Sequence, residues 1–259
     1  MVHVGIVGMG VIGTHVAKAI DNGVPGVRLV GVHARTPVKA GGHPLLPLDE
    51  LIRRSDLIVE AATQAALRQF GPSVLSAGKT LMVLSVGALV GILGEWASLA
   101  ERHGGRILIP SGAIAGLDGV KGAREGQVTA VTMRTRKPPQ GLAGAPYVEE
   151  RRIDLRAIRE ETLIFEGPAT EAVRAFPANV NVVAALSLAG IGPERTRIEI
   201  YAVPGLERNQ HRITIEGEFG RLGIEVDNVP SENPRTGKLS YLSAIAALRE
   251  LGSVVRVGT

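Results

Sequence analysis

The 259-residue chain contains no cysteine. Disulfides, thiolate metal sites and a cysteine nucleophile are thereby excluded, and a reducing compartment is permitted. Aromatic residues make up only 3% of the chain, too few for the stacking platforms of a nucleic-acid-binding face. The core must be built from Val, Leu, Ile and Ala, which suits buried parallel strands flanked by Ala-rich helices. Blocks of like charge are also missing. The net charge of +4 is spread along the chain, with RTRKP at 134–138 the densest basic cluster. A small anionic substrate or cofactor accounts for so mild an excess, and no nucleic-acid partner is expected. The longest apolar runs, such as LMVLSVGALVGILGEWASLA, are broken by glycine and a charge before bilayer length. The first residues, MVHVGIVGMG, enter a strand pattern with no basic stretch or cleavage site. No secretory signal and no membrane partner are expected, and the expected location is cytoplasmic.

What is present is alternation. The length is comfortable for two domains. Up to about residue 115, five short apolar runs (HVGIVGMG, VRLVGVHA, DLIVEAA, TLMVLSVGAL and RILIPSGA) are separated by helical patterns. This order predicts an α/β fold, a Rossmann-type doubly wound parallel sheet with right-handed crossovers. Beyond it, QVTAVTMRT, ETLIFEG, RTRIEIYAV, HRITIEGEFG and RLGIEVDNV alternate polar and apolar residues, as strands of a sheet with one wet face do. One helix, EAVRAFPANVNVVAALSLAG, is expected to interrupt them. The pattern predicts a dinucleotide-binding domain over 1–115 and an α+β domain of mixed or antiparallel sheet, for catalysis and assembly, over 116–232. A C-terminal helix within 233–259 is expected to return to the first domain.

GIVGMGVIG places Gly8, Gly10 and Gly13 in the G-x-G-x-x-G spacing, after the first strand and at the opening of a helix. Gly8 permits the tight turn, Gly10 lets the backbone approach a pyrophosphate, and Gly13 lets the helix pack on the strand. Val11 and Ile12 open the helix whose unpaired N–H groups face the phosphates. An NAD site usually carries an acidic residue about 20 residues further on. Here no Asp or Glu lies between Asp21 and Asp49, and Arg35 and Thr36 stand in the turn instead. Arg35 can stack on adenine and pair with a 2′-phosphate, or it is a solvated turn residue. NADP is favoured as cofactor, with NAD also accepted.

The chain has six histidines. His211 sits where the polar loop PGLERNQ meets an alternating strand. On its own, a histidine at a strand edge is more often a solvated or structural residue than an acid/base. No i, i+4 histidine pair and no carboxylate cluster has ligand spacing, so no metal is expected. A dicarboxylate substrate needs two cationic or N–H-rich contacts. Arg235, Thr236 and Lys238 are candidates for these, as are Lys121 and Arg124, although each can also be a helix cap or a solvated charge.

Several segments together resemble the L-aspartate dehydrogenase family: IPSGAIAGLDGVKGAREG, RTRKP, FPANVNVVAALSLAGIGPERTRIEI, NQHRITIEGEFG and ENPRTGKLS, in that order, with GMGVIG and LSVGAL before them. The resemblance covers nearly the whole chain. It implies a Rossmann domain plus a mixed α/β domain, and a homodimer or higher homo-oligomer. It also implies NAD(P)-dependent interconversion of L-aspartate with iminosuccinate, or with oxaloacetate plus ammonia. It makes His211 the catalytic residue, and Ala113 and Asn181 cofactor contacts near the nicotinamide end. One departure bears on the substrate: Val203 precedes Pro204 where the family tends to carry Asp, so the role of that acid is missing here or moved to Glu207. Two other readings stay open, a dehydrogenase of another small amino, imino or keto acid and a non-catalytic NADP(H)-binding sensor.

Overall fold

The computed structural model describes residues 1–35, 41–177, 180–229, 231–232 and 237–258. They form two compact units, one of Met1–Gly112 with Ser240–Val257, the other of Ala113–Leu239 with the chain end.

In the first unit, β1 (Val2–Val7), α1 (Val11–Asp21), β2 (Val27–His33), α2 (Leu48–Arg54), β3 (Leu57–Glu60), α3 (Gln64–Ser76), β4 (Thr80–Val83), α4 (Leu93–His103) and β5 (Arg106–Leu108) alternate strictly. The strands form one parallel sheet in the order β2-β1-β3-β4-β5. The chain therefore reverses its direction of travel across the sheet at β1, and the loop after β1 opens at that switch point, where ligands bind in such sheets. Val4, Ile6, Leu57 and Val59 are fully buried, and Ala244 and Leu248 of the C-terminal helix Leu239–Leu251 pack into the same core.

One expected strand is shorter than its apolar run suggests. TLMVLSVGAL keeps strand geometry only to Val83, and Val86–Leu89 is a 3-10 turn. The cause lies in β3. The buried Glu60 carboxylate accepts from the Leu84 and Ser85 N–H groups at 3.0 and 2.7 Å and so draws the backbone out of the ladder.

The second unit contains α5 (Leu117–Arg124), β6 (Val128–Lys137), α6 (Pro146–Glu150), β7 (Thr162–Pro168), α7 (Ala169–Ala175), α8 (Asn181–Ala189), β8 (Thr196–Ala202), β9 (Asn209–Gly217) and β10 (Gly220–Asn228). Its sheet runs β10-β9-β6-β8-β7 and is mixed, because β6 and β8 are parallel while the other pairs are antiparallel. The single helix expected over 171–190 is two helices, α7 and α8. Pro177 lacks the N–H that a continuing helix needs and disfavours helical geometry at Phe176, which takes φ −136° and ψ 56°. The scarce aromatics gather here. Phe165 packs edge-on to Tyr147 at 5.3 Å and to Phe176 at 5.7 Å between ring centroids. Each such pair adds about 1 kcal/mol to its area burial.

Along β6, β8 and β9 one face of the sheet is buried. Val131, Met133, Ile198, Ile200, Ile213 and Ile215 share a core with Val183 and Leu186 of α8. The opposite face carries Arg134, Arg136, Arg197, Glu199 and Arg212, as the two-residue period requires. Among the described residues, no helix is long and apolar enough to cross a membrane.

Candidate active site

The glycine turn follows β1, and each glycine does a different job. Gly8 has φ +97°, and a Cβ there would lie 2.5 Å from the Ala61 carbonyl oxygen. A Cβ on Gly13 would lie 2.0 Å from the Gly8 carbonyl oxygen, so α1 can only seat on the turn as it does with glycine at that position. Gly10, the residue before α1, differs: a Cβ there would meet nothing within 4 Å. Val11 and Ile12 begin the helix and are half-buried. Open space over a helix amino terminus free of acidic first-turn residues is the cradle that a pyrophosphate needs. The residues present therefore fit a dinucleotide. Arg35 is exposed just past β2. Thr36 lies outside the described residues.

In the second unit, the buried face of β6 and β9 is apolar until its last layer, where it turns polar. On β6, Val131 and Met133 are followed on the same face by Thr135 and Lys137. On β9, His211 stands directly across from Thr135, and Thr135 Oγ1 is 3.1 Å from His211 Nδ1. On β10, Val226 pairs with His211, and Asn228 follows on the inner face. His211 is only 5% exposed. Burial first, and then the charge of Lys137, push its imidazole down to about 3, well below an ordinary histidine. Lys137 is likewise 5% exposed, and burial lowers its ammonium to about 8. The free protein thus presents a neutral imidazole beside a buried lysine.

Ala113 joins this layer through Asn228, whose Nδ2 donates to the Ala113 carbonyl oxygen at 2.8 Å. Asn181 is the first residue of α8, half-buried at the amino end of a helix that packs on the same sheet face. The other histidines make other contacts. His3 bonds to Asp56, His43 lies 3.4 Å from Asp21, His33 Nδ1 is 3.0 Å from the Leu46 carbonyl oxygen, His15 stacks on Tyr241, and His103 is exposed.

Among the sequence's substrate candidates, Lys121, Arg124 and Lys238 are exposed, and Arg235 and Thr236 lie outside the described residues. Val203 follows β8, its N–H bonded to the Lys137 carbonyl oxygen at 2.8 Å, and Glu207 is exposed. A concavity of about 340 Å³ opens on the outer face of the sheet, with Arg134, Arg136, Gln210, Arg212 and Glu225 in its wall. His211 also contributes to that wall, but strand alternation and the bond to Thr135 put its imidazole on the other face. The outer arginines are neutralised locally: Arg134 pairs with Glu199 at 2.9 Å, Arg136 with Glu161 at 2.7 Å, and Arg212 with Glu225.

Sequence reasoning missed Thr135, Lys137 and Asn228. A signal for Lys137 existed: it shares the inward parity of Val131, Met133 and Thr135, whereas its neighbours in RTRKP point outward. Nothing in the sequence distinguishes Asn228 from a turn residue at the end of a strand.

Comparison with known proteins gives the site a context. Residues 118–251 match the family model described as aspartate dehydrogenase, C-terminal, and residues 8–110 match that described as homoserine dehydrogenase, NAD binding domain. The chain is 46% identical to an L-aspartate dehydrogenase of Methanosarcina barkeri, with all of both chains covered. It is 43% identical to L-aspartate dehydrogenase 3 of Bordetella bronchiseptica, covering 99% of this chain and 97% of that one. Among solved structures, the aspartate dehydrogenase of Thermotoga maritima superposes with a TM-score of 0.78 at 25% identity over the whole of both chains.

Proposed function

The chain belongs to the aspartate dehydrogenase family, and on that premise we propose that it is an NAD(P)-dependent L-aspartate dehydrogenase, interconverting L-aspartate with iminosuccinate and, by hydrolysis, with oxaloacetate and ammonia. The observation that carries this reading is the polar last layer of the second sheet, where a buried neutral His211 is held by Thr135. A bound nicotinamide cofactor would supply the hydride acceptor, or the donor in reverse, for the substrate α-carbon. Gly8, Gly10, Val11, Ile12 and Gly13 hold its phosphates, and Arg35 with Thr36 at the adenosine end favours NADP over NAD. Ala113 and Asn181 serve the nicotinamide end.

His211 does the proton work. With Nδ1–H donated to Thr135 Oγ1, the Nε2 lone pair is free to take a proton from the substrate ammonium. It releases that proton to solvent, then takes one from the water that adds to the imine carbon and delivers it to the carbinolamine nitrogen, which leaves as ammonia. Its low proton affinity suits the empty site. A dicarboxylate arriving beside it brings negative charge and raises that affinity when it is needed. Arg235, Thr236 and Lys238 are proposed as further carboxylate contacts. The chain works as a homo-oligomer in the cytoplasm, with residues 1–115 serving the cofactor, 116–232 catalysis and assembly, and 233–259 returning to the first domain.

The test is initial-rate oxidation of NADPH and NADH with ammonia and a panel of keto acids. Oxaloacetate should give the highest kcat/KM, with NADPH the better cofactor. Bound cofactor without turnover of oxaloacetate or L-aspartate contradicts the reading, and Val203 then becomes the first position to examine for a changed substrate.

A further inference from the structure

We infer that Lys137 is the cation that anchors one carboxylate of the substrate beside His211, and so sets the preference for a dicarboxylate. The inference rests on the proposed function and deepens it.

Among the described residues, Lys137 is the one lysine or arginine that is buried. A lysine with a four-carbon stem ordinarily carries its charge out to water even where the stem is covered. This one does not, because its strand parity points it into the core face, behind Thr135 and Met133. Burying an ammonium is costly, and its depression to about 8 shows that cost while leaving it charged at neutral pH. The same side chain offers most to an anion, since a charge-assisted hydrogen bond gains strength where water is excluded.

Register fixes its relation to His211. Thr135 is directly opposite His211, and Lys137 is two residues further along the same face. That makes it a diagonal neighbour, roughly 7–8 Å away between backbones and within reach of a long side chain. A carboxylate held by the ammonium therefore brings the rest of a short amino acid to the imidazole. On the parallel side, Lys137 pairs with Ala202, whose small side chain leaves room on that flank. The other cations compare poorly. Lys121, Arg124 and Lys238 are exposed. Arg134, Arg136 and Arg212 lie on the opposite face of the sheet, away from His211.

The test uses the full-length enzyme with Lys137→Met, which keeps the stem's bulk, and Lys137→Arg, which keeps the charge. Two readouts are taken: steady-state constants for oxaloacetate against a monocarboxylic keto acid, and calorimetric binding of succinate to the NADPH-loaded protein. Lys137→Met should raise KM for oxaloacetate and weaken succinate by roughly tenfold to a hundredfold. It should also erase most of the preference over the monocarboxylate, with the Kd for NADPH and the Tm little changed. Lys137→Arg should recover part of the succinate binding. Oxaloacetate KM and succinate affinity within about twofold of wild type in Lys137→Met overturn the inference. A wild type that binds succinate through Lys137 but turns over neither aspartate nor oxaloacetate keeps the anchor and removes the proposed reaction.

Discussion

Thr135 Oγ1 and His211 Nδ1 lie 3.1 Å apart across one antiparallel rung of the second sheet, both buried. A β-branched hydroxyl on a central strand is stiff at χ1, so the imidazole is oriented by a partner that itself hardly moves. The pairing engages Nδ1 and leaves Nε2 as the ring nitrogen that Thr135 does not hold. Thr135→Val keeps the shape and removes the hydroxyl. The expected result is a kcat lower by about tenfold, with cofactor affinity unchanged and activity restored in Thr135→Ser, a loss of roughly one hydrogen bond's worth of orientation. Steady-state kinetics on the three proteins check it.

The burial of His211 makes stability depend on pH. Its folded-state value of about 3 lies below the ordinary 6.5. Between those limits the unfolded chain binds a proton that the folded chain refuses, so stability falls as pH drops from 6.5 towards 3. His211→Asn removes that linkage. Urea midpoints measured from pH 7 to pH 4.5 should fall less steeply for the variant than for wild type.

The three glycines of the turn separate by mechanism. Gly13→Ala puts a methyl 2.0 Å from the Gly8 carbonyl oxygen and should lower both Tm and cofactor affinity. Gly10→Ala meets nothing within 4 Å, so it should fold with a Tm close to wild type. Its methyl occupies space a phosphate would use, and NADPH binding should weaken by about tenfold or more, a change in packing distance alone. Thermal melts and fluorescence titration distinguish the two.

Glu60 is fully buried and accepts four hydrogen bonds, from the Ala62, Leu84 and Ser85 N–H groups and the Ser85 hydroxyl. Burial pushes its carboxyl upward, against donors that favour the ionised form. Glu60→Gln sets an amide N–H2 against two of those donors. A loss of about 3 kcal/mol is expected, the scale of a buried polar group left without partners, and chemical denaturation measures it.

The first unit was the more legible in sequence because its signals are local. A glycine turn between a strand and a helix, and apolar runs bounded by helical patterns, both report structure within a few residues. The shortened β4 escaped because its end is set by Glu60, 24 residues away from Leu84. The break between α7 and α8 was readable at Pro177, but the apolar pattern on either side outweighed it. In the second unit, His211 stands out as a polar residue at a strand edge, while its depth and its partners do not. Lys137 hid inside RTRKP, whose composition reads as a solvated basic cluster. Only the parity of β6, once the strand is placed, turns Arg134 and Arg136 outward and Lys137 inward. Arg35 remains a local reading of the turn after β2. Arg35→Ser should lower kcat/KM for NADPH by about tenfold or more and leave NADH nearly unchanged, as expected for loss of a phosphate-pairing guanidinium.

The central claim is that His211 carries the proton transfers, and one comparison tests it most directly: kcat for oxaloacetate, ammonia and NADPH in wild type and His211→Ala, alongside the Kd for NADPH. A kcat lower by about a hundredfold or more with an unchanged Kd is the predicted result. A variant that turns over within about twofold of wild type contradicts the account and assigns the buried histidine a structural role.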